Sequence, residues 1–267
     1  MVVKVAHSDQ QITTSIPKTM TPSLVRRNKT RKRKMKVSPI EVTLIDHCGS
    51  DLSVVNAARV SFAKESEMES YGDIYTGVIE GYRLKSSDEK LIKYLAEHRH
   101  KSPFNHAFIS FRVKAPIFVA RQLVKHEYLP WNEVSRRYVT DEPEFYLPTV
   151  WRKAADNVKQ GSSGEAVDGV QYFPHDPYSA TLDTLRCYGE LLEAGVCPEQ
   201  ARMVLPQNMM TEWIWSGTLY AFAKMCVLRL DSHSQRETAE VAQKISSHLY
   251  KLFPVSQQYL VVERNAI

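Results

Sequence analysis

The chain has no Cys-x-x-Cys pair, no glycine-rich phosphate loop, no Walker motif and no cysteines and histidines at zinc spacing. Thioredoxin-type redox chemistry, P-loop nucleotide hydrolysis and small zinc modules all depend on such spacings, so none of them is expected. The four cysteines, Cys48, Cys187, Cys197 and Cys226, are scattered and read as reduced thiols used mainly in packing. Long apolar runs are also missing: no stretch of eighteen apolar residues occurs, and the first thirty residues contain no apolar core of a secretory signal. Neither a membrane span nor export is expected, and the cytoplasm is the expected compartment. What is present, 267 residues of which 43% are hydrophobic, suffices to bury a full core.

The net charge of +5 comes from one end. Residues 1–36 carry ten Lys or Arg and a single acid, Asp9, which leaves 25 basic and 29 acidic residues for the remainder. The body is therefore not built as a nucleic-acid binder. The end of the basic segment, RRNKTRKRKMK, follows a Ser-, Thr- and Pro-containing stretch with few large apolar residues, so residues 1–36 are expected to form a disordered tail. Any nucleic-acid contact is expected through this tail alone.

Folded protein is expected over 37–267. Ile40, Val42 and Leu44 alternate with polar residues as in a half-buried strand. Asp51 is placed to cap a short helix over DLSVVNAARVSF, residues 64–85 read as a loop, and Ser86 with Glu89 has capping-box spacing. AFISFRVKAP alternates again and ends at Pro116, where a helix over about 117–127 is expected. Beyond it the chain reads as mostly helical. KQGSSGEAVDG is a surface loop, a helix over about 178–194 ends at Gly195, Pro198 opens the next element, and MMTEWIWSGTLYAFAKMCVLRL is an apolar run. A helix beginning near Asp231 turns Val241, Ile245, Leu249 and Leu252 to a core until Pro254. The expected fold is α+β, one domain, with a small sheet from the N-terminal half covered by long helices from the C-terminal half.

On the 117–127 helix, Arg121, Gln122, Lys125 and His126 share a face opposite the apolar stripe. Alone this reads first as a solvated face. YLPWNEVSRRYV then concentrates Glu133, Ser135, Arg136 and Arg137 after Pro130, a set able to hold a phosphate, a sugar and a base together. Arg202 and Arg229 stand in apolar surroundings; an ion pair with a carboxylate such as Asp231 and a bound anion account for them equally well. His100 and His233, taken singly, read as structural histidines.

The blocks HKSPFNHAFISFRVKAPIFVARQ, NEVSRRY, GVCPEQARMVLP and LRLDSHSQRE, in this order over about residues 40–255, resemble the successive motifs of the flavin-dependent thymidylate synthases. The resemblance implies a methyltransferase that converts dUMP to dTMP, with methylenetetrahydrofolate as carbon donor, FAD as relay and NADPH as reductant. It implies substrate contacts from Gln122, Lys125, Glu133, Ser135, Arg136, Arg137, Arg202 and Arg229, with Arg229 as the catalytic cation that favours ionisation at uracil N3. Cofactor contacts fall by the same resemblance on His100, Ser102, Lys125, His126, Glu127, Glu133, Thr218, Tyr220, Lys224 and His233. The family's homotetramer, with active sites between subunits, is expected too.

The sequence departs from the family's Arg-His-Arg triplet, which here is Lys125, His126, Glu127, with Ser135 at the usual distance. Thr218 and Lys224 replace residues that are often asparagines in similar proteins. FAD is therefore expected to be held differently, and two other readings stay open: a flavin-independent pyrimidine deoxynucleotide hydroxymethylase, and a nucleotide-binding protein without catalysis.

Overall fold

The computed structural model describes residues 34–73, 75–156 and 161–263; the basic segment before Lys34 lies outside them. The folded body begins at Met35, two residues before the expected boundary. Met35 is buried with Phe145, Leu185 and Met209, and β1 (Lys36–Val37) pairs in parallel with β7 (Glu144–Phe145).

The centre is a four-stranded antiparallel sheet in the order β2 (Glu41–Cys48), β5 (Phe108–Pro116), β10 (Met210–Thr218), β6 (Trp131–Glu133). β5 forms for the reason its alternation suggests: Ile109, Phe111, Val113 and Ala115 are all fully buried on one face. Its register sets Phe111 opposite Trp215 and Val113 opposite Trp213. Helices α6 (Leu219–Arg229) and α7 (Arg236–Leu252) cover this face, with Phe222 of α6 edge-on to both Phe111 and Trp215. α7 lays down Val241, Ile245 and Leu249 as a buried stripe and stops before Pro254. An α+β architecture results. α1 (Asp51–Arg59) and α2 (Ser86–Glu97) flank it, α4 (Pro177–Glu193) packs over the smaller core cluster, and α8 (Pro254–Gln257) closes the body.

Several local expectations are corrected. Residues 210–218, read as part of a helical run, form the strand at the heart of the sheet, and Thr218 caps α6 directly through its hydroxyl. The 64–85 segment contains a hairpin of β3 (Glu69–Asp73) and β4 (Val78–Arg83). The 159–169 stretch is partly a strand: β8 (Arg152–Ala154) pairs with β9 (Ser162–Ala166). The cap of α1 is Ser50, whose hydroxyl and that of Ser53 form a reciprocal box, while the carboxylate of Asp51 accepts from Val255 and Ser256 across the fold. No side-chain cap forms at α2, since Ser86 already lies inside the helix. Gly195 follows α4 with φ +87, a left-handed conformation that a side chain would strain. Of the four cysteines only Cys226 is buried. No helix among the described residues is long and apolar enough to cross a membrane.

Candidate functional site

Helix α3 (Ile117–Leu123) ends four residues earlier than its periodicity suggests, and this early stop builds the site. The chain turns through Lys125, His126 and Glu127 and reverses at Tyr128, whose φ of 61 is left-handed. Leu129 then packs against β10 at Gly217, where a Cβ would overlap Leu129 Cδ2 and stand 3.0 Å from the Tyr128 carbonyl oxygen. The tight return lifts Gln122 and His126, both half-buried, towards the end of α6, while Arg121, Lys125 and Glu127 stay exposed. The four-residue polar face expected on one helix is therefore divided.

Arg229, the last residue of α6, meets this turn. Its Nε donates to Nε2 of His126 at 3.0 Å, and its terminal nitrogen donates to the carbonyl of Gln122 at 3.2 Å. A guanidinium has only donors, so His126 accepts through Nε2 and is neutral, with its proton on Nδ1. Burial, followed by the charges of Arg229 and Lys224, pushes the His126 pKa down to about 4. Burial also lowers the pKa of Arg229. Among the described residues no carboxylate pairs with Arg229. Asp231, the partner considered from sequence, instead accepts from the backbone N–H of His233 at 2.8 Å and lies 3.0 Å from its Nδ1.

A second group lies around a cleft of about 750 Å³ lined by Glu133, Arg136 and Arg202 together with Ile117, Met209 and Thr211. Short strand β6 places Glu133 at its rim: one oxygen accepts from Thr211 at 2.7 Å, the other from Trp131 Nε1 at 3.1 Å. Ser135 Oγ lies 3.4 Å from Arg137 Nε, and that guanidinium covers the Tyr138 ring at 5.0 Å. Arg136 donates to the carbonyl of Asp141, and Arg202 to that of Glu199, so both keep their charge free of any carboxylate among the described residues. Of the expected nucleotide contacts the cleft collects Glu133, Arg136 and Arg202, while Gln122 and Arg229 stand outside its lining.

The residues expected around a flavin form a third set. Ser102 opens a 3-10 turn (Pro103–His106), and Asn105 of that turn accepts from the hydroxyl of Thr218 at 2.9 Å. Tyr220 lies on α6 beneath Lys101, whose ammonium is 5.9 Å from its ring, and Lys224 stands one turn further along. His100 belongs to a small exposed ring cluster with Tyr94 and His98. His233 is held by Asp231 on the turn between α6 and α7. As a donor set these residues suit a dinucleotide: Lys101, Lys125 and Lys224 offer cations for phosphates, Thr218 a hydroxyl, and Tyr220 a ring face. Glu127 is the only carboxylate of the turn.

Sequence reasoning missed a polar network behind Gln122. Gln122 Nε2 donates to Gln235, and Thr238 Oγ1 donates to Gln122 Oε1 at 3.2 Å. Gln235 Nε2 donates to Glu237 at 3.1 Å, and Arg152 grips both oxygens of Glu237 at 2.9 and 3.1 Å. A signal was present: Glu237 sits four residues before Val241 on the stripe continued by Ile245 and Leu249, a carboxylate in an apolar register. Nothing in the sequence marks Arg152 as its partner.

Comparison with known proteins bears on all three groups. The family model described as thymidylate synthase complementing protein matches residues 43–255. The flavin-dependent thymidylate synthase of Thermus thermophilus is 37% identical over 220 residues, which cover 80% of this chain and 73% of that protein. That of Thermosipho melanesiensis is 37% identical over 204 residues, 76% of this chain and 82% of that one. A solved structure of the UMP/dUMP methylase PolB from Streptomyces cacaoi, bound with 5-Br dUMP, superposes with a TM-score of 0.71 at 32% identity, covering 85% of this chain and 96% of that one. The matched span runs from β2 to α8 and takes in Gln122, His126, Arg202 and Arg229 alike, so the chain belongs to the thymidylate synthase complementing protein family, that of the flavin-dependent thymidylate synthases.

Proposed function

We propose that this protein methylates dUMP to dTMP, with methylenetetrahydrofolate as carbon donor, FAD as relay and NADPH as reductant. The observation that carries the reading is Arg229: a half-buried guanidinium oriented by two neutral acceptors, with no counter-ion among the described residues. Such a cation stabilises negative charge as it develops. Placed beside uracil N3, it favours the N3 anion, whose electrons raise the density at C5, the carbon that takes the one-carbon unit. Gln122 contributes an oriented amide beside it. Arg136, Arg137 and Arg202 supply the guanidinium forks that suit a phosphate, and Ser135 a hydroxyl. Glu133, fixed by Thr211 and Trp131, is held ready to accept from the sugar or base. FAD bound among Ser102, Lys125, Thr218, Tyr220 and Lys224 would supply the redox chemistry between NADPH and the transferred carbon, with His100 and His233 at its margins.

The separation of Arg229 from the Arg136 and Arg202 cleft supports a site completed by a second copy, in the homotetramer usual for the family. Large apolar groups exposed near both groups, Tyr128, Tyr138 and Met203, favour the same reading. All the substrates are water-soluble, which fits a cytoplasmic reaction. The test is mass spectrometry of dUMP incubated with methylenetetrahydrofolate, FAD and NADPH, alongside light scattering. Formation of dTMP that requires FAD is expected. A hydroxymethylated product, or dTMP formed equally well without flavin, would overturn the assignment.

A further inference from the structure

The chain Arg152–Glu237–Gln235–Gln122 has a direction. A glutamine amide can turn over, exchanging its oxygen and nitrogen at little cost, unless its neighbours distinguish the two ends. Glu237 provides that distinction. It is buried, gripped by Arg152 through both oxygens, and as a carboxylate it can only accept. Gln235 must therefore present Nε2 to Glu237, which leaves its Oε1 to face Gln122. Gln122 must in turn present Nε2 to Gln235 and Oε1 to Thr238, whose hydroxyl donates to it and whose side chain is fully buried. One charge, two residues removed, sets the sense of every bond.

We infer that Glu237 is a positioning residue for substrate binding, holding the Gln122 amide in one of its two orientations. With one N–H committed to Gln235, the second N–H of Gln122 Nε2 stays available as a donor for an oxygen of the nucleotide. Arg152 brings β8 into the same device, and its Nε is further anchored by Ser162 of β9 at 2.7 Å. The hairpin of β8 and β9, outside any expected nucleotide contact, is in this way wired to the site.

The inference rests on the proposed nucleotide-binding role of Gln122, and a double-mutant cycle on dUMP affinity keeps the two apart. Calorimetry on the FAD-supplemented full chain would compare wild type, Glu237→Gln, Thr238→Val, Gln122→Met and the two doubles with Gln122→Met. Glu237→Gln is expected to weaken dUMP binding about fivefold, the scale of one neutral hydrogen bond. Thr238→Val, which removes the donor to Oε1 without emptying volume, is expected to weaken it about threefold. In the Gln122→Met background both effects are expected to vanish, because they act through the amide that has gone. A merely structural role for Glu237 would instead lower affinity equally in both backgrounds, and that additivity would overturn the inference. If Glu237→Gln does not fold, Gln235→Met, which breaks the link between Glu237 and Gln122, takes its place in the cycle, and additivity with Gln122→Met there would overturn the inference. If dUMP binds wild type and Gln122→Met equally well, the nucleotide role of Gln122 falls, and the inference with it.

Discussion

Arg229 and His126 are joined by a single hydrogen bond of 3.0 Å in which the arginine Nε donates and the imidazole Nε2 accepts. The bond exists only while His126 is neutral, because an imidazolium has no lone pair to offer. Two elements of the site far apart in sequence, the turn after α3 and the end of α6, are tied by a titratable group.

The pH dependence follows from the burial of His126 and, after it, from the charges of Arg229 and Lys224. An exposed histidine titrates near 6.5, and His126 in the folded chain near 4. Between these values the unfolded chain binds the proton and the folded chain does not, so His126 costs stability progressively as pH falls from 6.5 to 4. Above that window it contributes no slope. An NMR titration is expected to place the His126 midpoint near 4, with dUMP affinity falling over the same range. A midpoint at the ordinary histidine value would show that the bond to Arg229 is not formed in solution.

Arg229→Lys is expected to leave the fold and melting temperature intact and to lower kcat. Lysine keeps the charge but cannot donate to His126 and Gln122 while facing a substrate, and losing an oriented donor at developing charge costs about 2–4 kcal/mol of transition-state stabilisation. Arg202→Ala, which removes a cleft cation proposed for ground-state binding, is expected to raise KM for dUMP with little change in kcat. Steady-state kinetics separates the two, and wild-type kcat in Arg229→Lys would exclude the role proposed for it.

The altered triplet has its own consequence for FAD. The charges acting on His126 are those of Arg229 and Lys224, both on α6, so positive potential at this turn comes from the helix opposite it. Glu127 opposes it. Unit charges about 5 Å apart at an effective dielectric of about 20 interact by about 3 kcal/mol, which surface screening reduces. Calorimetric titration of FAD is expected to show tighter binding to Glu127→Arg and weaker binding to Lys224→Ala, each by tenfold or less. Unchanged affinity in both variants would mean that neither side chain faces the cofactor.

Met35→Ala is expected to destabilise the protein by about 2–3 kcal/mol, the usual cost of truncating a buried methionine. Met35 is 4% exposed and fills the cluster with Phe145, Leu185 and Met209. Denaturant unfolding measures the change. A stability equal to wild type would show that Met35 adds nothing to the core.

Periodicity made β5, the end of α4 and the stripe of α7 legible, because each obeys one simple repeat and ends at Pro or Gly. It fails at β10, where Trp213 and Trp215 alternate correctly but the strand runs into α6 with no loop between them, Gly217 lying inside the strand, so that strand and helix read as one apolar run. α3 ends short of its pattern for the converse reason: its apolar spacing continues through Val124, while the return of the chain is imposed by Tyr128 and by the space at Gly217, far away in sequence. The motifs marked Gln122, Arg202 and Arg229 without revealing that the first and last meet through a backbone carbonyl. Glu237 escaped notice because a carboxylate on an apolar stripe gains meaning only once Arg152 arrives from a distant hairpin.

Three indoles crowd one corner of the sheet. Trp131 lies parallel over Trp213 with ring centroids 4.2 Å apart, and Trp215 stands edge-on to both. Transition dipoles this close couple, so the corner is expected to give an exciton doublet in circular dichroism. The strand that brings Trp131 there is three residues long, and its indole N–H is bonded to Glu133 at the mouth of the cleft. A molecule that enters the cleft and draws on Glu133 is therefore expected to disturb the stack. Occupancy of the cleft is thus expected to change the tryptophan signal, a readout that needs no label.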